Sequence, residues 1–178
     1  MTPTGNMIFI DTETTGLNTR LHDVIELAWA VNDGPIRTAV LPHTLEHADG
    51  AALSINKYYE RGLNKRPMVD ISACDDFTLD ARGATVVAEN YGFDVAMLAK
   101  KIGWEPWHHR KIELSTMAMM EFGDALPANL WRTAQKVRAL GYEVPEPDHT
   151  AAGDVATLRA CYIALREMRG QQPFASAA

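Results

Sequence analysis

The 178-residue sequence predicts an α/β fold, a mixed central sheet flanked by helices, on three observations. Short apolar runs bounded by turn residues come first, and long stretches with helical spacing come last. Between them strand and helix patterns alternate, which places helices on the faces of a sheet.

The elements follow in order. "NMIFID" (6–11) reads as a buried strand that runs into Asp11. "DVIELAWAVND" (23–33) and "IRTAVLP" (36–42) read as two further strands, and the tight turn "NDGP" between them pairs them as a hairpin. "HADGAALSINKYYERGL" (47–63) reads as helical in part. "ATVVAEN" (84–90) is a continuous apolar strand that ends on polar residues. "YGFDVAMLAKKIG" (91–103) has helical spacing and a glycine stop. "RKIELST" (110–116) is a fifth strand. "ANLWRTAQKVRALG" (128–141) and "TAAGDVATLRACYIALREM" (150–168) are the clearest helices, the latter with Val155, Leu158, Cys161 and Leu165 on a broad apolar face. There is no internal repeat. The ends, 1–6 and 170–178, read as loose, so a single domain over 1–178 with a core of about 7–168 is expected.

Composition narrows the function classes. At 47% hydrophobic and 22% charged residues the chain is ordinary for a globular protein. No apolar stretch reaches the roughly 18 residues that span a bilayer, so no membrane partner is expected. The start lacks the basic and apolar regions of a signal peptide. Cys74 and Cys161 stand far apart without metal-ligand spacing, and a reducing, cytoplasmic setting fits them. The net charge of −6 excludes nucleic-acid binding by a general basic coat. A nucleic-acid role would therefore rest on a local site, where carboxylate-held metal ions supply positive charge.

Five residues suggest such a site. Asp11 and Glu13 follow the first strand, Asp94 lies in "ENYGFD", and His149 and Asp154 lie in "DHTAAGD". In an extended strand Asp11 and Glu13 share one face, about 6–7 Å apart along the backbone. Two carboxylates so close repel unless a cation lies between them. Mg²⁺ or Mn²⁺ prefers oxygen ligands, and two such ions about 3.5–4 Å apart can activate a water and steady the leaving oxygen of a phosphodiester. His149 and Asp154 are five residues apart, about 500° of helix, so both cannot occupy one helical face. The helix then starts near Thr150, with Thr150 or Asp148 as its N-cap and His149 just outside, free to accept a proton.

"DTETTGL", "ENYGFD" and "HTAAGD" resemble, in this order, the three motifs of the DEDDh 3′→5′ exonucleases of the RNase H-like superfamily. That family includes the proofreading subunit of bacterial replicative polymerase, RNase T and oligoribonuclease. The resemblance covers about residues 7–168. It implies an RNase H-like mixed sheet and a two-metal exonuclease that releases 5′-mononucleotides from the 3′ end of nucleic acid. Asp11, Glu13 and Asp154 would ligate one metal. Asp11 would also hold the second, with Asp94 acting on it directly or through water, and His149 would be the general base. The backbone at Thr12, Glu13 and Thr14 would meet the terminal nucleotide, Leu17 would wedge against the last bases, and Asn90 and Phe93 would shape the pocket. Two departures stand out. Glu89 sits where many relatives carry histidine or a small residue. "MVDISACDDFTLDARG" (68–83) reads poorly as the helix the family places before its second motif, so a shortened or irregular helix is expected there.

Several readings stay open. Single-stranded DNA is the expected substrate, with RNA or oligoribonucleotides, or a non-catalytic nucleic-acid-binding module, as alternatives. A polymerase or a second copy of the chain is open as partner. Asn90 could end a strand as a turn residue, Leu17 could pack, and Asp94 could be a first-turn helix acid. Glu26 is balanced between an exposed strand position and a site edge. "KKIGWEPWHHRK" (100–111) reads either as a solvated loop or as a groove for a single strand, and the four tryptophans read mainly as packing residues.

Overall fold

The computed structural model describes residues 5–71 and 75–174. Cys74 therefore lies outside the described residues. Strands β1 (Met7–Thr14), β2 (Val24–Val31), β3 (Arg37–Val40), β4 (Thr85–Ala88) and β5 (Lys111–Glu113) form a five-stranded sheet in the order β3-β2-β1-β4-β5. β1 and β2 run antiparallel, as do β2 and β3, whereas β1, β4 and β5 run parallel. The sheet is mixed, as the alternation of patterns predicts, and the "NDGP" hairpin joins β2 to β3.

The helices are α1 (Gly50–Ile55), α2 (Asp75–Ala81), α3 (Tyr91–Ile102), α4 (Leu114–Phe122), α5 (Leu130–Ala139) and α6 (Ala151–Met168). Alternation along β1 sorts the two faces. Ile8 and Ile10 join Phe77 of α2 and Met97 and Leu98 of α3 in one core. Phe9 points the other way, into a second core with α4, α5 and α6, where its ring meets Tyr162 edge-on at 5.3 Å. By the same alternation Asp11 and Glu13 face the α6 side and Thr12 faces the α3 side.

Two local features differ from the sequence-based expectation, and a third, the short helix in 68–83, agrees with it. β1 continues through both acids to Thr14, because β2 still pairs with it there. The register slips between Glu13 and Thr14, which leaves Ile25 as an extra residue on β2. Ile25 then packs in a third small cluster with Val40, Tyr58 and Leu63. The expected fifth strand stops at Glu113 and its last residues, Leu114–Thr116, begin α4. That helix reads weakly in sequence because its methionine-rich stretch is apolar on most sides, without a clear stripe. The stretch 68–83 does contain a helix, the seven-residue α2, and Phe77 anchors it in the core against Trp29 at 5.3 Å.

Among the described residues no helix is long and apolar enough to cross a membrane. Cys161 is a free, buried thiol on α6. The basic and aromatic segment 100–111 runs from the last turn of α3 to the start of β5: Lys100 Nζ donates to the Thr19 and His22 carbonyls in the loop after β1, while residues 106–108 lie at the end of the sheet remote from the acids. The His108 amide donates to Ala84 O and the Pro106 carbonyl accepts from Gly83, both just before β4 begins, whereas Asp11 and Glu13 lie in the second half of β1 and Asp94 beyond the far end of β4. Trp107 is core, as expected of a packing tryptophan, and His108 is buried beside it, so this part of the segment is neither a solvated loop nor a stacking groove.

Leu158, only 1% exposed on α6, is expected to cost about 2–5 kcal/mol on Leu158→Ala, because a cavity is left in a packed core. Leu126→Ala, at a residue 77% exposed, should stay within about 0.5 kcal/mol. Urea unfolding of both variants checks this contrast.

Candidate active site

Two strand ends and two helix starts converge at one end of the sheet, at its central strands. β1 and β4 pair only over Met7–Phe9 and Thr85–Val87 and then part. The chain leaves β4, turns through Glu89 and Asn90, and enters α3, which carries Asp94 in its first turn. Asp94 fills the gap between the parted strands. Its Oδ1 accepts from the Thr12 amide at 3.1 Å and from Thr12 Oγ1 at 2.7 Å. The Thr12 amide, which has no strand partner on that side, is satisfied by a carboxylate instead.

α6 supplies the other half. Thr150 is its N-cap, and Thr150 Oγ1 accepts from the Gly153 amide at 3.0 Å. Asp148 braces the cap: its Oδ1 accepts from the Thr150 amide at 3.0 Å and from Thr150 Oγ1 at 2.7 Å. A Cβ on Gly153 would collide with that Asp148 carboxylate, so the glycine of "HTAAGD" lets the brace lie across the first turn. His149 is outside the helix with φ of 60°, a left-handed conformation uncommon for a non-glycine residue. Asp154 Oδ1 holds this turn by accepting from the amides of Asp148 at 3.0 Å and His149 at 3.3 Å. One carboxylate thus faces the site and also fixes the loop that carries the imidazole.

Asp11, Glu13 and Asp154 each present a carboxylate oxygen, and the three oxygens lie within 4.8 Å of one another. Asp94 is outside this trio but acts on it electrically. Burial pushes the Asp11 carboxyl well up, and Asp94, Asp154 and Glu13 add to the rise. Glu13 is pushed up to about 8, first by burial and then by Asp154 and Glu26, against a lowering effect of Arg61. Asp94 rises to about 6 through burial, which outweighs the Thr12 hydrogen bonds. Asp154 is also raised, chiefly by burial, while the two amides and His149 pull it down. Clustered carboxylates in a poorly solvated site favour protons or a cation. A hard divalent ion fits this all-oxygen donor set.

A cavity lies on each side of the trio. The first, of about 260 Å³, is lined by Thr12, Glu13, Thr14, Leu17, Ile55, Asn56 and Phe93, among others. Leu17 and Ile55 are exposed at its rim. The second, of about 380 Å³, is lined by Glu89, Asn129, Leu130, Trp131, Pro147, His149 and Asp154. Asn90 lines neither; it borders a third, polar cavity with Glu89, Glu113 and Ser115. The loop leaving β1 packs His22 over Gly16, where a Cβ would overlap the imidazole, so the glycine of "TTGL" lets this loop fold back.

Glu89 is pushed up to about 8 by burial and by Glu113, Asp94 and Asp154. Its Oε2 is buried without a hydrogen-bond partner among the described residues. Glu26, balanced in the sequence, is buried and ion-paired. Asn56, Arg61 and Trp131 had no sequence signal for the site: the first two sit in an aperiodic stretch, and Trp131 reads as a packing residue although it is 47% exposed.

These shifts set a pH dependence. A carboxyl whose pKa is higher folded than unfolded holds its proton more tightly in the folded state. Its stabilising contribution is complete below the unfolded pKa and is lost as pH rises through the folded one. For Glu13 that window runs from about 4.5 to about 8. In a chelator the melting temperature should fall across this window, and saturating Mn²⁺ should remove most of the fall. A chelated protein whose melting temperature is flat over that range would contradict the crowding of carboxylates.

No model of a known protein family matches the chain, and no curated protein matches it in sequence. Its fold is nonetheless similar to that of E. coli exonuclease I. Against the zinc-bound form of that enzyme with single-stranded DNA, the TM-score is 0.67 at 16% identity, covering 95% of this chain and 41% of that one. Against its complex with a dA16 oligonucleotide, the TM-score is 0.64 at 18% identity, covering 94% and 41%. Against the dT13 complex, the values are 0.59 and 17%, covering 92% and 42%. This chain therefore spans about two fifths of the length of those exonuclease I chains. At such identity the likeness establishes the fold, an RNase H-like α/β sheet of the kind found in exonuclease I.

Proposed function

We propose that this chain is a divalent-metal-dependent 3′→5′ exonuclease that hydrolyses single-stranded DNA and releases 5′-mononucleotides. The observation that carries the reading is the convergence of Asp11, Glu13 and Asp154 beside His149, on a fold shared with exonuclease I. The exonuclease I structures contain single-stranded DNA or oligonucleotides, which favours DNA as the substrate class.

Asp11, Glu13 and Asp154 would hold one Mg²⁺ or Mn²⁺, and Asp11 with Asp94 a second. When bound, such ions supply Lewis-acid chemistry at the scissile phosphate. The chain's own residues do the rest. The first cavity receives the terminal nucleoside, with Thr12 and Thr14 on its floor, Phe93 on its wall and Leu17 against the neighbouring base. His149 accepts the proton of the attacking water. Water adds to phosphorus, the P–O3′ bond breaks, and a proton goes to that oxygen. The shortened strand keeps a 3′-hydroxyl and the released nucleotide a 5′-phosphate. Asp154 keeps the His149 turn in place through its two amide contacts, so the base and one ligand move together.

The test is degradation of single-stranded DNA labelled at its 3′ end, beside a 3′-blocked strand, with and without EDTA. Loss of label should need the divalent ion and a free 3′ end. Turnover that ignores EDTA or proceeds on the blocked strand would overturn the proposal. His149→Ala should lower kcat about 10²- to 10⁴-fold, the usual worth of a general base, with an unchanged far-UV spectrum. An unchanged rate would remove its assigned role.

A further inference from the structure

Glu26 lies on β2 opposite Glu13 in the β1–β2 ladder, and its side chain is only 4% exposed. A buried carboxylate without partners would be costly, but this one is heavily engaged. Arg61 Nη2 donates to its two oxygens at 2.8 and 2.6 Å, and Arg66 stands 3.7 Å from Oε1. From the far side the Ala151 amide donates to Oε2 at 3.3 Å. Ala151 is the first residue of α6, where backbone amides lack intrahelical partners and the helix dipole favours negative charge. His149 immediately precedes this turn and Asp154 lies within it.

The network also reaches the nucleoside cavity. Arg61 Nη1 donates to the Asn56 carbonyl at 3.1 Å, and Asn56 Nδ2 donates to the Thr14 carbonyl at 3.2 Å. A single buried anion thereby ties the end of β1, the middle of β2, the segment after α1 and the start of α6. A buried ion pair is weak evidence of stability, since well-packed apolar side chains do as well or better. What the charged pair adds is a fixed distance between the elements that it joins.

On the reading that Asp11, Glu13 and Asp154 hold a divalent cation, on which this inference rests, we propose that Glu26 is a positioning residue. Its carboxylate, gripped by Arg61 and by the first amide of α6, sets how far that helix stands from β1 and so fixes the spacing of Glu13 and Asp154. Small cations such as Mg²⁺ demand near-ideal coordination, so this spacing controls affinity.

The test compares wild type, Glu26→Gln, Arg61→Lys and the control Asp11→Asn, each as the full chain. Mn²⁺ binding is followed by the paramagnetic resonance signal of the free ion, beside thermal melting and kcat and KM on labelled single-stranded DNA. Glu26→Gln should weaken Mn²⁺ binding about 10- to 100-fold, the usual range for groups that orient metal ligands. Its kcat should fall while KM changes less. Arg61→Lys keeps the charge but loses the planar fork, and should fall between the two. A role confined to stability would lower the melting temperatures and leave Mn²⁺ affinity and kcat of the folded variants at wild-type values; that result overturns the inference. If Glu26→Gln does not fold, Arg61→Lys decides on the same readouts. A wild type that takes up no Mn²⁺ overturns the metal reading and the inference with it. A wild type that binds Mn²⁺, loses it in Asp11→Asn and keeps it in Glu26→Gln overturns the inference alone.

Discussion

Mutual repulsion among carboxylates governs this molecule. Asp11, Glu13 and Asp154 bring oxygens within 4.8 Å of one another, with Asp94 close enough to raise Asp11 further. Left to themselves, these side chains would splay into solvent. They stay together because strand pairing and core packing hold the backbones that carry them. β1 is paired with β2 through Thr14, α3 packs Met97 and Leu98 into one core, and α6 packs Leu158 and Leu165 into the other. Apolar burial on both faces of the sheet thus holds the like charges at the end of its central strand. Burial raises all four carboxyls, and repulsion adds to the rise at Asp11 and Glu13, so a bound cation would relieve both.

The same side chains that face the site also organise its backbone. Asp94 satisfies the Thr12 amide, so the second carboxylate segment is locked to the first strand. Asp154 satisfies the amides of the turn that carries His149, and Asp148 braces the Thr150 cap. Glu26 joins β2 to the start of α6 from beneath. A substitution at any of these acids therefore changes geometry as well as charge, and stability should be measured beside activity.

Much of this was legible in the residues. Alternation in "MIFIDTET" placed Asp11 and Glu13 on one face, and the angular mismatch between His149 and Asp154 put the helix start at Thr150, where it is observed. Helix α4 was not legible, because a run of methionines and alanines does not separate a buried strand from a buried helix. The network of Asn56, Arg61 and Glu26 was also hidden. Its members are 5 to 35 positions apart and follow no period, so only folding reveals that they touch. Asn90 matched a motif by spacing, yet the turn into α3 leaves it facing a neighbouring cavity, away from Phe93.

By itself the sequence determined most of the elements, their order and the α/β class, and it singled out the acids and the histidine. These are local properties, set by side-chain period, turn residues and caps within a few positions. Tertiary structure alone decided that β1 and β4 part after Phe9, that Asp94 enters the gap, and that Glu26 is buried beneath the site. Those outcomes depend on which surfaces pack together across the whole chain, and no local pattern carries that information.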